Sequence, residues 1–192
     1  MFNCFLHKNT QTRLCCVGIA LFLLGPVGAS AATILAAFSV NGTKLKCENP
    51  YQTIGGIDAR GMALVLGLNF GYGRLRGNGR HLQTGAAVNP IDISKKLDAC
   101  TPLFLGAMVQ KQQVLAILTI FDANPDDGMI RPKTRITLDN AHIVGVNVVG
   151  KTTFTVPQSS TTQELIQIMP QQVTVEDLVA GTSFQFDYAT SP

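Results

Sequence analysis

The chain has 192 residues, enough for one domain with a substantial core, and its 15 basic and 12 acidic side chains nearly balance. Because the first 31 residues contribute Lys8 and Arg13 but no acid, the rest of the chain has a formal net charge of +1. A balance this close to neutrality argues against a protein that binds nucleic acid through its overall charge.

The N-terminal segment has the three parts of a secretory signal peptide. Lys8 and Arg13 precede an apolar run from Leu14 to Val27, and Ala29-Ser-Ala31 is a small-residue cleavage site. We therefore predict a signal peptide over residues 1–31 and a single exported domain over residues 32–192, in the periplasm or outside the cell and without stable membrane insertion after cleavage. An uncleaved membrane anchor is the alternative.

Two of the five cysteines, Cys47 and Cys100, lie outside the predicted signal peptide. An even pair in an oxidising compartment favours a disulfide. Closing that loop would stabilise the fold by about 4 kcal/mol on the chain-entropy account. Two buried free thiols are the alternative.

The first elements of the exported domain are two strands around an irregular segment. Apolar residues alternate from Ile34 to Val40, residues 44–61 have no period, and a second strand follows with one apolar face. That face consists of Leu64, Leu66, Leu68, Phe70 and Tyr72.

A glycine-rich basic stretch follows the second strand. Residues 71–85 carry Arg74, Arg76, Arg80 and His81 between glycines. A contact for phosphate or nucleic acid is one interpretation. A mobile surface loop is the other, favoured because no Phe, Tyr or Trp lies between Arg74 and His81 to stack on bases.

The second half of the chain predicts strands around one helix. A short strand starts at Ile91. Thr101 followed by Pro102 is a favourable start for a helix, which we expect to end at about Gln110. The predicted buried face of this helix consists of Leu103, Phe104, Ala107 and Met108. Later strands cover residues 114–121, 135–148 and 184–188; the second has Ile136, Leu138, Val144, Val146 and Val148 on one face. This order predicts an all-β fold, an antiparallel barrel or sandwich with one short helix.

Two segments match sequence patterns found in enzymes or metal-binding proteins, but their surroundings do not suit those functions. Residues 145–152 match the P-loop pattern, but valines continue a strand where a P-loop must open a helix. Residues 122–128 resemble a calcium loop with a late glycine and Lys133 in the place of the bidentate Glu, so at most a weak calcium site is expected. His81 and His142 lie near no nucleophile pattern. We predict no enzyme, cofactor or metal.

One stretch carries a family resemblance. Pro90-Ile-Asp-Ile-Ser-Lys-Lys-Leu-Asp-Ala-Cys-Thr-Pro-Leu-Phe104 resembles the signature of the haemolysin-coregulated proteins, the tube subunits of bacterial type VI secretion systems. Later segments are similar to further landmarks of that family in the same order: Arg135 to Gly150, Glu164 to Val175, and Phe184 to Tyr188.

The resemblance implies a non-enzymatic, homo-oligomeric subunit. In that family hexameric rings stack into a tube that holds cargo effectors and meets a spike protein, and the loop with Arg74, Arg76, Arg80 and His81 would reach the next ring. The signal peptide is a departure, because tube subunits of the family leave through the secretion machine. A stand-alone exported binding module and a secreted effector with an undetected active site are the two alternatives.

Overall fold

A computed structural model describes residues 32–70, 72–74, 86–149 and 162–187, of which residues 72–74, 86–88 and 149 are described by their backbone alone. The predicted signal peptide, Arg76, Arg80 and His81 lie outside these ranges. The strands of the N-terminal half are β1 (Thr33–Val40), β2 (Thr43–Lys44), β3 (Thr53–Ile54), β4 (Ile57–Asp58), β5 (Ala63–Asn69), β6 (Tyr72–Arg74) and β7 (Ala86–Val88).

The C-terminal half has a helix between longer strands. These elements are β8 (Ile91–Lys96), α1 (Thr101–Val109), β9 (Val114–Ala123), β10 (Ile130–Val149), β11 (Gln163–Met169), β12 (Gln172–Asp177) and β13 (Thr182–Asp187). The helix matches its prediction to within one residue, and the remaining regular elements are strands. The all-β prediction is confirmed.

Six antiparallel strands close into a barrel. They pair in the order β11, β8, β5, β1, β9 and β10, and β10 returns to β11. The 20-residue β10 makes closure possible, because its first half pairs with β12 and its second half pairs with β11. β12 then pairs with β13, so this two-strand extension continues the sheet beyond the barrel.

The barrel interior is the main core, and a smaller core lies outside it. Inward residues such as Phe38, Ile93 and Leu138 are at most 1% exposed. The irregular segment between β2 and β5 packs a second cluster on the outer face, which consists of Leu35, Ile54, Ala59, Met62 and Phe121. The β3–β4 hairpin in this segment was not predicted from the sequence.

Bulges change which side chains face the core. The register shifts between Val65 and Gly67 in β5, and in β10 between Leu138 and Ala141 and again between Ile143 and Gly145. The predicted apolar faces are therefore wrong in part: Leu66 is 48% exposed and Val144 is 50% exposed, whereas Val65 is buried. Each bulge adds one residue, and every side chain beyond it changes face.

The β3–β4 turn depends on two glycines with different surroundings. Gly55 (φ +53°) and Gly56 (φ +79°) both have a left-handed backbone conformation. A Cβ on Gly55 would lie 3.1 Å from the carbonyl oxygen of Ile130 and from Cδ of Pro132, whereas nothing lies within 4 Å of a Cβ on Gly56.

Gly55→Ala should therefore cost more stability than Gly56→Ala. We expect a loss of about 1 kcal/mol for Gly56→Ala from the backbone conformation alone, and about 2–3 kcal/mol for Gly55→Ala, which adds crowding. Urea denaturation of the two variants measures the difference. Equal losses would mean that the hairpin does not pack on β10 as described.

Candidate functional site

A buried lysine lies at one end of the barrel between two carboxylates. Lys95 points inward from β8, and its register partner on β11 is Glu164. The Nζ atom of Lys95 lies 2.5 Å from Oε1 of Glu164 and 2.6 Å from Oδ1 of Asp98. None of the three side chains is more than 3% exposed. Charges removed from water this completely persist only when they are paired.

The lysine also contacts the backbone and the helix. Its Nζ donates to the carbonyl oxygen of Lys96 at 2.9 Å and lies 5.5 Å from the ring centroid of Phe104. The contact with Glu164 is an ion pair without hydrogen-bond alignment, and Oε2 of Glu164 has no hydrogen-bond partner among the described residues. The triad of Lys95, Asp98 and Glu164 thus holds two carboxylates against one ammonium.

Asp98 connects three parts of the chain through one carboxylate. Its Oδ1 accepts the N–H of Cys100 at the start of α1 as well as the lysine, and its Oδ2 accepts the N–H of Glu48 at 3.0 Å. The hydroxyl of Thr101 in turn accepts the N–H of Asp98. Asp98 therefore fixes where β8 ends and where α1 begins, a role that the sequence analysis gave to Thr101.

A disulfide lies directly beside Asp98. Cys47 and Cys100 are bonded, with their Cα atoms 5.2 Å apart, and they are 6% and 0% exposed. The two sulfurs and the Asp98 carboxylate lie within 4.8 Å of one another. Because both sulfurs are used in the disulfide, this group has no thiolate to offer a metal ion.

Helix α1 plugs the barrel end above the triad. Phe104 is fully buried and packs edge to face on Phe38 of β1, with ring centroids 4.9 Å apart. Thr101 and Ala107 are the other buried helix residues. This differs from the predicted face, since Leu103 is 49% exposed. The rings of Phe104 and Phe38 thus fill part of this barrel end.

The outer face of α1 is apolar and uncovered. Leu103, Leu105 and Val109 are 49%, 39% and 76% exposed. A helix that is apolar on all sides belongs in an interior, because its outer face gains nothing from contact with water. We call these three residues the helix patch.

The last strand leaves a second apolar surface. Phe184 lies on the same face of β13 as Phe186, and the two rings pack with centroids 5.6 Å apart. Their register partners on β12, Val175 and Val173, point toward the core. Phe184 is nevertheless 68% exposed, because the extension formed by β12 and β13 reaches past the barrel. On the described chain, the outer edge of β13 pairs with no strand. We call this edge and Phe184 the β13 edge.

The two lowered carboxyl pKa values belong to turns away from the triad. The Arg60 side chain donates to Asp58 and holds the pKa of that carboxyl well below its usual range. The backbone N–H groups of Ala180 and Val179 lower the pKa of Asp177 in the turn that precedes β13. Each carboxylate stabilises its own turn.

The structure brings together some of the predicted site residues. Cys47 and Cys100 meet, while Arg74 is described only by its backbone in β6.

Residues 145–149 continue β10, as the argument against a P-loop requires. In the calcium-like turn, Asp127 pairs with Arg131 and Asp122 pairs with Lys133. His142 is exposed on β10.

The roles of Lys95, Asp98 and Glu164 were not predicted from the sequence. A signal was present, because the alternation of Ile91 and Ile93 extends the inward face to Lys95. A lysine at an inward position requires a buried carboxylate partner. Glu164 could not be identified as this partner from the sequence, because it lies 69 residues further along the chain.

These features define a plugged antiparallel barrel whose uncovered surfaces are suited to contact with other proteins. The profile of a family described as "Type VI secretion system effector, Hcp" matches residues 58–176, more than half of the chain. The chain therefore belongs to the Hcp family, and the predicted resemblance is confirmed. The family consists of structural tube proteins and not of enzymes.

Solved structures of this fold include several Hcp proteins. A double mutant of Hcp1 from the E. coli EAEC 042 pathovar has a TM-score of 0.68 at 14% identity, covering 82% of this chain and 99% of that one. Hcp3 from Pseudomonas aeruginosa has a TM-score of 0.63 at 15% identity, covering 83% and 100%. Hcp1 from Salmonella typhimurium has a TM-score of 0.57 at 15% identity, covering 82% and 96%. Identities this low show the fold alone.

No curated protein sequence matches the chain significantly. Within the described ranges, no helix has both the length and the apolar character needed to cross a membrane.

Replacing Lys95 with an uncharged residue should strongly destabilise the protein. Lys95→Met leaves two buried carboxylates without a counter-charge, and we expect a loss of about 3–5 kcal/mol in the free energy of unfolding. Lys96→Met is the matched control, because Lys96 is the next residue and is exposed. Chemical denaturation measures both variants.

A second substitution separates charge from packing. Glu164→Gln in the Lys95→Met background removes one of the uncompensated carboxylates and should restore part of the lost stability. A loss for Lys95→Met no larger than that for Lys96→Met would contradict the triad.

Proposed function

We propose that this protein is a non-enzymatic, ring-forming subunit of the type VI secretion tube type. In this proposal residues 1–31 are a signal peptide, the exported domain forms a homo-hexamer, and the rings stack or carry effector proteins. Membership of the Hcp family supports self-association of this kind. Spike protein and cargo effectors are the further partners that the family implies, with no nucleic acid among them.

The observation that carries the proposal is the β13 edge. An edge strand presents a row of unpaired N–H and C=O groups, and stand-alone proteins protect such edges with charges, prolines or a covering element. β13 has six residues, of which only Asp187 is charged, and Phe184 leaves an aromatic ring in water. A neighbouring subunit would cover both the backbone edge and the ring.

The helix patch supplies a second contact of the same kind. Leu103, Leu105 and Val109 belong to the element that plugs the barrel, so the triad and the disulfide hold their positions. Burial of apolar surface is the main driving force for stable homo-oligomers. A rigid apolar helix face is therefore a suitable surface for the next subunit.

The loop between β6 and β7 is assigned to ring stacking in this proposal. Arg74, Arg76, Arg80 and His81 would contact the adjacent ring, as the family resemblance implies. The loop lies mostly outside the described residues, so its role depends on the resemblance and on its sequence.

The disulfide favours one alternative, a stand-alone exported module. A cysteine pair that is bonded in the fold suits an oxidising compartment, where a protein with a signal peptide arrives without the secretion machine. That alternative predicts a monomer.

Phe184→Glu tests assembly through the β13 edge. Residues 32–192, oxidised and purified, should have the mass of a hexamer by light scattering on a sizing column. Phe184→Glu should dissociate it, because a carboxylate replaces an apolar contact. Gln185→Glu adds the same charge to the polar face of the same strand and should leave the mass unchanged.

One result would count against ring formation, and another against the β13 edge as the ring contact. A monomer for the unmodified chain favours the stand-alone module. A hexamer that survives Phe184→Glu and dissociates with Val109→Glu would assign the ring contact to the helix patch instead of the β13 edge.

A further inference from the structure

We propose that the Cys47–Cys100 disulfide is a site of thiol–disulfide exchange in the native protein, with Cys47 as the sulfur that an external dithiol attacks. The partner is a thiol–disulfide oxidoreductase or a small dithiol, and exchange uncouples helix α1 from the segment over residues 45–62. The proposal does not depend on ring assembly.

Access distinguishes the two sulfurs. Cys47 is 6% exposed and forms part of the wall of an open surface cleft, together with Glu48, Asn49, Tyr51, Gln52, Arg60 and Gly61. Cys100 is 0% exposed and lies beneath the start of α1. Exchange requires a thiolate in line with the disulfide, so the sulfur on the cleft side is the one that can be attacked.

The leaving sulfur has favourable surroundings. Cys100 occupies the N-cap position of α1, which has nine residues, and the positive end of the helix dipole favours a thiolate there. Asp98 opposes a second negative charge, but its Oδ1 already lies 2.6 Å from the ammonium of Lys95. Departure of the Cys100 thiolate is therefore the favoured direction of cleavage.

The step balances with a dithiol as the reductant. The attacking thiolate forms a bond to the sulfur of Cys47, the Cys47–Cys100 bond breaks, and its electron pair stays on Cys100. The second thiol of the donor then displaces Cys47 from the mixed disulfide. Both cysteines take up protons, and the donor leaves as a disulfide after giving two electrons.

Each side of the disulfide has its own anchors, so the fold can survive exchange. The Cys47 side is held by the N–H of Cys47, which donates to the carbonyl oxygen of Gly61, and by the Asn49 amide, which donates to Ala59 and Met62 at 2.7 Å. The helix side is held by Phe104 in the core. Apart from the disulfide, the N–H of Glu48, which donates to Asp98, joins the two sides.

Trapping with a monothiol tests the site of attack. The purified, oxidised protein is incubated with reduced glutathione without denaturant and quenched with N-ethylmaleimide, and the modified peptides are mapped by mass spectrometry. We expect glutathione on Cys47 and maleimide on Cys100, with about a tenfold excess over the reverse pattern, because the cleft is lined by Cys47 and not by Cys100. Glutathione mainly on Cys100, equal modification, or no reaction short of global unfolding would overturn the proposal.

A variant pair tests whether the cleft is the route. Asn49→Ala removes three hydrogen bonds that close the segment beside Cys47: the two that the amide donates to Ala59 and Met62, and the one that it accepts from the N–H of Tyr51. Exchange should therefore become about tenfold faster. Gln110→Ala, at the exposed far end of α1, should leave the rate unchanged. Equal rates for the two variants would contradict entry through the cleft, and a denaturation curve for each separates local opening from loss of global stability.

Discussion

The ammonium group of Lys95 is the constraint on which the plugged end of the barrel depends. A buried cation must find its carboxylates at fixed positions, so β8 and β11 must pair in the register that brings Glu164 opposite Lys95. Asp98 must also turn back toward the strand, and in doing so it sets the start of α1. Strand register, helix position and loop closure are thus specified by one charge, and mispaired alternatives would leave that charge without a partner.

A disulfide and a buried ionic triad meet at the same point. The disulfide is worth about 4 kcal/mol on the chain-entropy account, and breaking a buried ion pair costs about 3–5 kcal/mol. Asp98 links them, because it accepts hydrogen bonds from Glu48 beside Cys47 and from Cys100 itself. The helix patch is consequently presented on a helix held both covalently and by the triad, which lowers the entropy cost of a contact made there.

The sequence predicted the barrel, the helix and the cysteine pair because each depends on local pattern or on simple counting. It failed on the faces of Leu66 and Val144, because a bulge changes the phase of alternation without a change in composition. It also failed on the triad, because Lys95 and Glu164 become neighbours only through the pairing of β8 with β11. The residues that alternation could not place are those whose positions depend on contacts distant in sequence.

The fold is shared with Hcp structures at 14% and 15% identity, so it depends on the pattern of inward residues and not on particular side chains. Because a fold alone does not determine function, the proposed assembly depends on two surfaces, the β13 edge and the helix patch. Electron microscopy of oxidised residues 32–192, negatively stained, tests this account most directly. We expect ring-shaped particles with six-fold symmetry, whereas a uniform field of single barrels would contradict the ring-forming assignment.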